Sequence, residues 1–226
     1  MGGARTPPID RGYARPVTPG LHLPGRQTAL CVVLLGSLLA GCAAAATFDP
    51  AGPCDADGKA PGAYPDLEGL LPDLFDGRAP DRRDSGRSCT DAALGSLGSH
   101  EVAELRFAGA TWDFGNGRAV TMAVLSLPNR ALPVVWAEEF YELGARNGRR
   151  TEHVQVSRPT FDGGGPVFRL NTLNDLSFQT VVVWADGDRA GVVLVASPVN
   201  LDAERAEHDA VVAAAFNAAV GFVGGD

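Results

Sequence analysis

Positive charge is scarce in this chain, and lysine nearly absent: Lys59 is the only lysine among 19 basic residues. Residues 1–41 take four of the arginines (Arg5, Arg11, Arg15, Arg26) and one acid, Asp10. The remainder is left with 15 of the 19 basic and 26 of the 27 acidic residues, a net charge of −11. Such a surface repels phosphate backbones and anionic headgroups, so nucleic acid is not an expected partner. The usual signatures of catalysis are missing as well. No G-x-S-x-G elbow occurs, and Gly95-Ser96-Leu97-Gly98 has the wrong spacing for one. There is no H-E-x-x-H, and His100, His153 and His208 never fall at i, i+4. Gly163-Gly164-Gly165 lacks the Lys-Ser/Thr that would follow in a phosphate loop and reads as a turn. Cys54-Asp55-Ala56-Asp57-Gly58 echoes part of a calcium loop, but Pro53 and Tyr64 stand where that loop needs acids. Neither a metal nor a cofactor is expected.

Long apolar runs are also missing, with one exception. Ala29–Ala40 is apolar, follows the arginine-bearing segment and ends in small residues and a cysteine, the build of a secretory signal. Its last four residues, Leu39-Ala40-Gly41-Cys42, resemble the lipobox of bacterial lipoproteins. That resemblance implies removal of residues 1–41, acylation of Cys42 and a protein held on the cell membrane or outer membrane, facing away from the cytoplasm. The competing reading is an uncleaved span of 19 residues from Thr28 to Ala46, barely the length of a hydrocarbon core. Gly36, Ser37 and Gly41 dilute that span, and no basic cluster follows it.

Four cysteines then sort by position. Cys31 lies within the signal and Cys42 is the lipidation site, which leaves Cys54 and Cys89 as a pair in a compartment that permits disulfides. Zinc is the alternative, but the closest histidine, His100, stands eleven residues beyond Cys89.

Beyond a tether at 42–48, residues 49–89 are rich in Pro, Gly and Asp and read as irregular, closed into a loop by the disulfide. Within them Leu67, Leu70, Leu71, Leu74 and Phe75 make a small apolar cluster at helical spacing that Pro72 interrupts, which reads as one or two short turns docked on the domain by those side chains. Residues 90–226 read as one domain. Thr90-Asp91 caps a short helix, Val102–Phe114 alternates as a strand, Gly115-Asn116-Gly117 turns, and Arg118–Leu127 returns. Ala131–Gly144 is a helix with Leu132, Trp136, Phe140 and Leu143 on one face and Glu138 and Glu142 on the other. Four strands follow (Thr151–Val156, Pro166–Leu173, Leu176–Ala185 and Gly191–Ser197), then a helix to Val220 capped by Asn200 or Asp202. The last two strands are apolar on both faces, which places them centrally and covered on each side. The fold class is therefore α+β: a mainly antiparallel sheet of about six strands with two helices packed on it. This element order resembles that of Mog1/PsbP-like domains, which occur in some bacterial lipoproteins. The resemblance implies a fold and no function. Val182, Trp184, Val193, Leu194, Trp136 and Phe140 form the expected core.

Candidate site residues are few. His208 shares a helix face with Leu201, Val212, Ala215 and Ala219 and should point at the sheet, where it is either a pocket-edge ligand or a hydrogen-bonded boundary histidine. His153 and Trp136 are the other pocket candidates. His153 stands beside Glu152 in a strand, where neighbouring side chains point to opposite faces. The expected function is that of a membrane-anchored, non-catalytic binding or envelope-interaction module, one that binds a protein or supports a surface assembly. A small-ligand or lipid-binding lipoprotein with a pocket between sheet and helices is the alternative, and a hydrolase with an unrecognised site the third.

Overall fold

Strand alternation from Leu105 onward carries apolar side chains to both faces, and the sheet they build is sandwiched accordingly. The computed structural model describes residues 48–161, 165–174, 177–199 and 203–223. The segment read as an export signal, its Cys42, Gly163 and Gly164 of the expected turn, and the expected cap at Asn200 or Asp202 lie outside these. Eight strands form one sheet: β1 (Gly58–Ala60), β2 (Arg82–Ser88), β3 (Leu105–Gly115), β4 (Arg118–Ser126), β5 (Glu152–Ser157), β6 (Phe168–Leu173), β7 (Ser177–Asp186) and β8 (Arg189–Pro198). Their order across the sheet is β1-β2-β3-β4-β8-β7-β6-β5, and every pairing is antiparallel. Four α-helices accompany them among the described residues: α1 (Pro65–Glu68), α2 (Asp91–Leu94), α3 (Val134–Asn147) and α4 (Ala203–Val223).

The α+β class and the antiparallel sheet match the sequence expectation, and β7 and β8 are central as expected. The counts of about six strands and two helices do not hold, because the segment read as irregular supplies β1, β2 and α1. β2 pairs with β3 from Arg82↔Thr111 to Ser88↔Leu105 although its sequence, Arg-Arg-Asp-Ser-Gly-Arg-Ser, has no apolar alternation. Its inward side chains are polar and are satisfied by distant partners. Ser85 is fully buried; its hydroxyl accepts from the Tyr64 amide at 2.7 Å and donates to Glu68 Oε1 at 2.7 Å. Arg87 is buried too, its guanidinium donating to the carbonyls of Gly52 (2.8 Å), Pro53 (2.7 Å) and Asp49 (3.2 Å), with the Phe48 ring against it. Both terminal nitrogens of this buried arginine are met, while Nε is buried without a partner among the described residues, and the one side chain organises the whole 49–53 turn. Gly86 between them has no room for a side chain, since a Cβ would stand 2.3 Å from the Gly58 carbonyl oxygen.

One face of the sheet presents Ala108, Ala110, Trp112, Val120, Met122, Val182, Val193 and Val195. α4 covers it with Val212, Ala215, Phe216 and Ala219, and the 64–75 segment covers it with Tyr64, Leu67, Leu71 and Phe75. The other face, including Leu105, Leu125, Val183, Val192, Phe168 and Leu170, is covered by Leu94, Leu97, Leu132 and Ala137. Among the expected core residues Val182 and Val193 are fully buried, whereas Trp184, Leu194, Trp136 and Phe140 are partly buried at the margins. Trp184 lies across the ladder on Gly191, where a Cβ would meet its ring at 2.2 Å. The tryptophan at the centre is Trp112, fully buried, with Nε1 donating to the Arg78 carbonyl at 2.9 Å. Glu138, expected on the outer helix face, is also buried: Arg158 reaches back from beyond β5 to grip both its oxygens at 2.5 and 3.0 Å.

Cys54 and Cys89 are disulfide-bonded with Cα atoms 5.4 Å apart. Beside them Asp57 accepts from Thr90 Oγ1 (2.6 Å) and from the Cys89 and Thr90 amides (2.7 and 3.0 Å). These bonds, the Thr90 hydroxyl foremost, hold the Asp57 carboxyl below the usual carboxylate range. All described residues belong to one compact unit, Ala44–Asp226. The bridged segment is thus part of the sheet rather than the irregular loop expected, and loss of the bridge should be felt globally. The double variant Cys54→Ser/Cys89→Ser is expected to lose about 4 kcal/mol of unfolding free energy, the chain-entropy value for a loop of this length. Urea denaturation measures it, and a loss below about 1 kcal/mol would contradict the bridge's role. By the same method Trp112→Ala should cost roughly 4 kcal/mol and more than Trp136→Ala, whose side chain is only partly buried.

Candidate functional site

α4 is apolar on more of its circumference than the sheet covers. Val212, Ala215, Phe216 and Ala219 dock, while Ala210, Val211, Ala214 and Ala218 form a second stripe along the flank. This stripe faces a cavity of about 500 Å³ whose other walls are Ala119 and Val120 of β4, Val195–Ser197 of β8, Phe114 and Phe75. The volume falls in the range of small-molecule sites. Charge is confined to a few positions: Arg118 and Glu207, paired at 2.7 Å and half exposed, and Asp76. A second arginine, Arg78, stacks on the Phe114 ring at 5.1 Å.

At the Arg118–Glu207 end stands His208, which lines a small extension of this space with Ser197. The register of the sheet decides its surroundings. Arg169 and Asn171 of β6, Thr180 of β7 and Ser197 of β8 all point to the face beneath α4. Asn171 Oδ1 accepts from Arg169 Nε (3.1 Å) and from Thr180 Oγ1 (2.8 Å). The Thr180 proton is thereby committed, so His208 Nε2 donates to Thr180 Oγ1 at 2.8 Å and Nδ1 accepts from the Ser197 hydroxyl at 2.8 Å. Arg169 closes the relay onto α4 by an ion pair with Asp209. Phe178 packs edge-on against the imidazole at 4.7 Å, and Arg205 lies over the Phe178 ring at 4.9 Å.

His208 is the hydrogen-bonded boundary histidine of the two roles its sequence position allowed. Burial pushes its pKa down to about 4, with Arg169 and Arg205 acting the same way and Asp209 opposing them. A base that weak, with its second nitrogen held by a threonine hydroxyl, is poorly suited to activating Ser197 at neutral pH. The relay instead clamps α4 to three strands and sets one end of the cavity.

The other two candidates are elsewhere. Trp136 lies on the opposite side of the sheet, stacked on His100 at 4.5 Å with Arg130 on its ring, while His100 Nε2 meets Glu139 at 2.7 Å. His153 is exposed on the edge strand β5, and a bulge there gives it φ = 50°. The bulge also overturns the expected separation of neighbours, bringing His153 Nε2 to 4.0 Å from Glu152. The structure therefore brings none of the three together. The sequence did not point to Ser197, Thr180, Asn171 and Arg169, which only strand register unites, nor to the alanines of α4, whose signal was a helix apolar over too much of its surface. Among the described residues no group of three His, Cys, Asp or Glu side chains could hold a metal, and no helix is long and apolar enough to cross a membrane.

No protein-family model matches this chain, and no curated protein does.

Folding fixes the neutral imidazole, and the pH dependence follows in sign. The unfolded histidine has its ordinary pKa of 6.5 and the folded one about 4, so the unfolded state binds the extra proton between those values. The contribution of His208 to stability is complete above pH 6.5 and is lost as pH falls toward 4. Melting temperatures across that window should drop more steeply for the wild type than for His208→Asn. Parallel profiles would contradict the clamp.

Proposed function

We propose that this chain is an extracytoplasmic lipoprotein, held on its membrane through Cys42, whose domain is a non-catalytic binding module for a small apolar ligand. The observation that carries the ligand is the apolar cavity between the sheet and α4, with its charged residues kept to Arg118, Glu207 and Asp76. It favours the small-ligand form of a binding lipoprotein over a protein-interaction module, because a concave apolar space of this size suits a small molecule. The anchor rests on the lipobox resemblance of Leu39-Ala40-Gly41-Cys42 and agrees in compartment with the Cys54–Cys89 disulfide. Two acyl chains suffice for stable attachment where one is marginal.

Two experiments test the two halves separately. Cys42→Ala should leave the precursor unprocessed or release the protein to the soluble fraction; membrane-bound protein of mature size would contradict the anchor. For the cavity, Nile red titrated into residues 43–226 should gain fluorescence, and Ala214→Trp should weaken its binding at least about tenfold, or about 1.4 kcal/mol. Ala214 is exposed on the lining stripe, so the melting temperature should hold. Equal binding by both proteins would place the ligand elsewhere.

A further inference from the structure

We infer that the opposite face of the sheet carries a second binding site, a cleft for an uncharged ligand with an apolar face and hydroxyl or carbonyl groups along its edge, the chemistry of a neutral sugar ring. The cleft, about 670 Å³, lies between α3, the turn at Gly95–His100 and strands β6 to β8. Its floor is Leu170, Val181 and Leu194, and Phe140 and Tyr141 supply an aromatic wall. All sixteen residues that line it are uncharged. An ion entering would shed water without gaining a counter-charge, which costs several kcal/mol and selects against charged ligands.

What the lining has instead is neutral hydrogen-bonding capacity that the protein leaves unused. The Tyr141 hydroxyl has no hydrogen-bond partner among the described residues, although Phe140 packs edge-on against its ring at 5.3 Å. Thr172, on the floor, likewise leaves its hydroxyl unpaired among the described residues. Gln179, its cross-strand neighbour, spends its amide nitrogen on Ser177 at 3.0 Å, and its carbonyl oxygen has no partner among the described residues. Hydroxyls both donate and accept, and leaving such groups unsatisfied in a desolvated site is costly. A sugar ring answers this pattern, because its C–H face suits the aromatic and aliphatic surface while its hydroxyls reach the polar groups. Desolvation also pushes the Tyr141 phenol up to about 12, so it stays a donor at any physiological pH. This site is separated by the sheet from the cavity under α4 and does not rest on the function proposed for it.

Calorimetry on the full chain in lauryldimethylamine oxide micelles tests it, with maltotriose, cellotriose and triacetylchitotriose as neutral probes and trigalacturonate as the charged one. At least one neutral trisaccharide should bind with a Kd in the millimolar range or below, and trigalacturonate at least about tenfold more weakly. Tyr141→Phe, which removes one oxygen, should weaken binding about fivefold, or about 1 kcal/mol. Gly144→Leu should abolish it. Gly144 lines the cleft on α3, and a Cβ there meets nothing within 4 Å, so that variant should melt no lower than the wild type. Ala214→Trp should bind the saccharide normally. The inference is overturned if none of the three neutral probes gives heat at about 10 mM, if trigalacturonate binds equally well, or if Gly144→Leu and Tyr141→Phe bind as the wild type does.

Discussion

The middle of this sheet is apolar on both faces, and most of the structure follows from having to cover it twice. Val182 and Val193 face α4 while Val183 and Val192, their immediate neighbours, face the opposite layer, all of them essentially without solvent contact. Burial of each such side chain is worth about 1.5–3 kcal/mol, so neither face can be left open. One cover is α3 with the short helical turns before it. The other is split between α4 and the 64–75 segment, and the cavity lies where those two pieces fail to meet. The space that the functional reading depends on is thus a consequence of covering a wide face with two narrow elements.

Polar clamps decide where the covers sit. Hydrophobic contact is non-directional and would let α4 slide along a valine surface. The relay from Arg169 through Asn171 and Thr180 to His208 and Ser197 joins three strands to one turn of the helix. Arg87 does the corresponding work for the N-terminal segment, drawing four backbone carbonyls of the 49–53 turn onto β2. In both cases most of the buried polar groups meet partners far away in sequence, which makes position specific where apolar packing alone would not.

That distinction also explains what was legible in the sequence. The strands from Leu105 onward, the Asn116 turn, the central place of β7 and β8, the disulfide and the inward aim of His208 follow from local signals: period-two alternation, turn residues, cysteine pairing and a helical face. β2 carries none of them. Its inward residues are Ser85 and Arg87, and only Tyr64, Glu68 and the 49–53 carbonyls make their burial tolerable. Trp136 fell on the apolar face of its helix, yet at the helix start it packs on His100 at the margin. The cavity was expected only as a space between sheet and helices, because its outline depends on the gap between two covers and not on any residue pattern.

The gap beside α4 is either a ligand site or a packing defect, and native mass spectrometry of the protein purified from the cells that make it separates the two. One equivalent of a small apolar molecule, retained in gentle conditions and released on unfolding, is the predicted result. A protein that arrives consistently empty, at the mass of the chain alone, would contradict it.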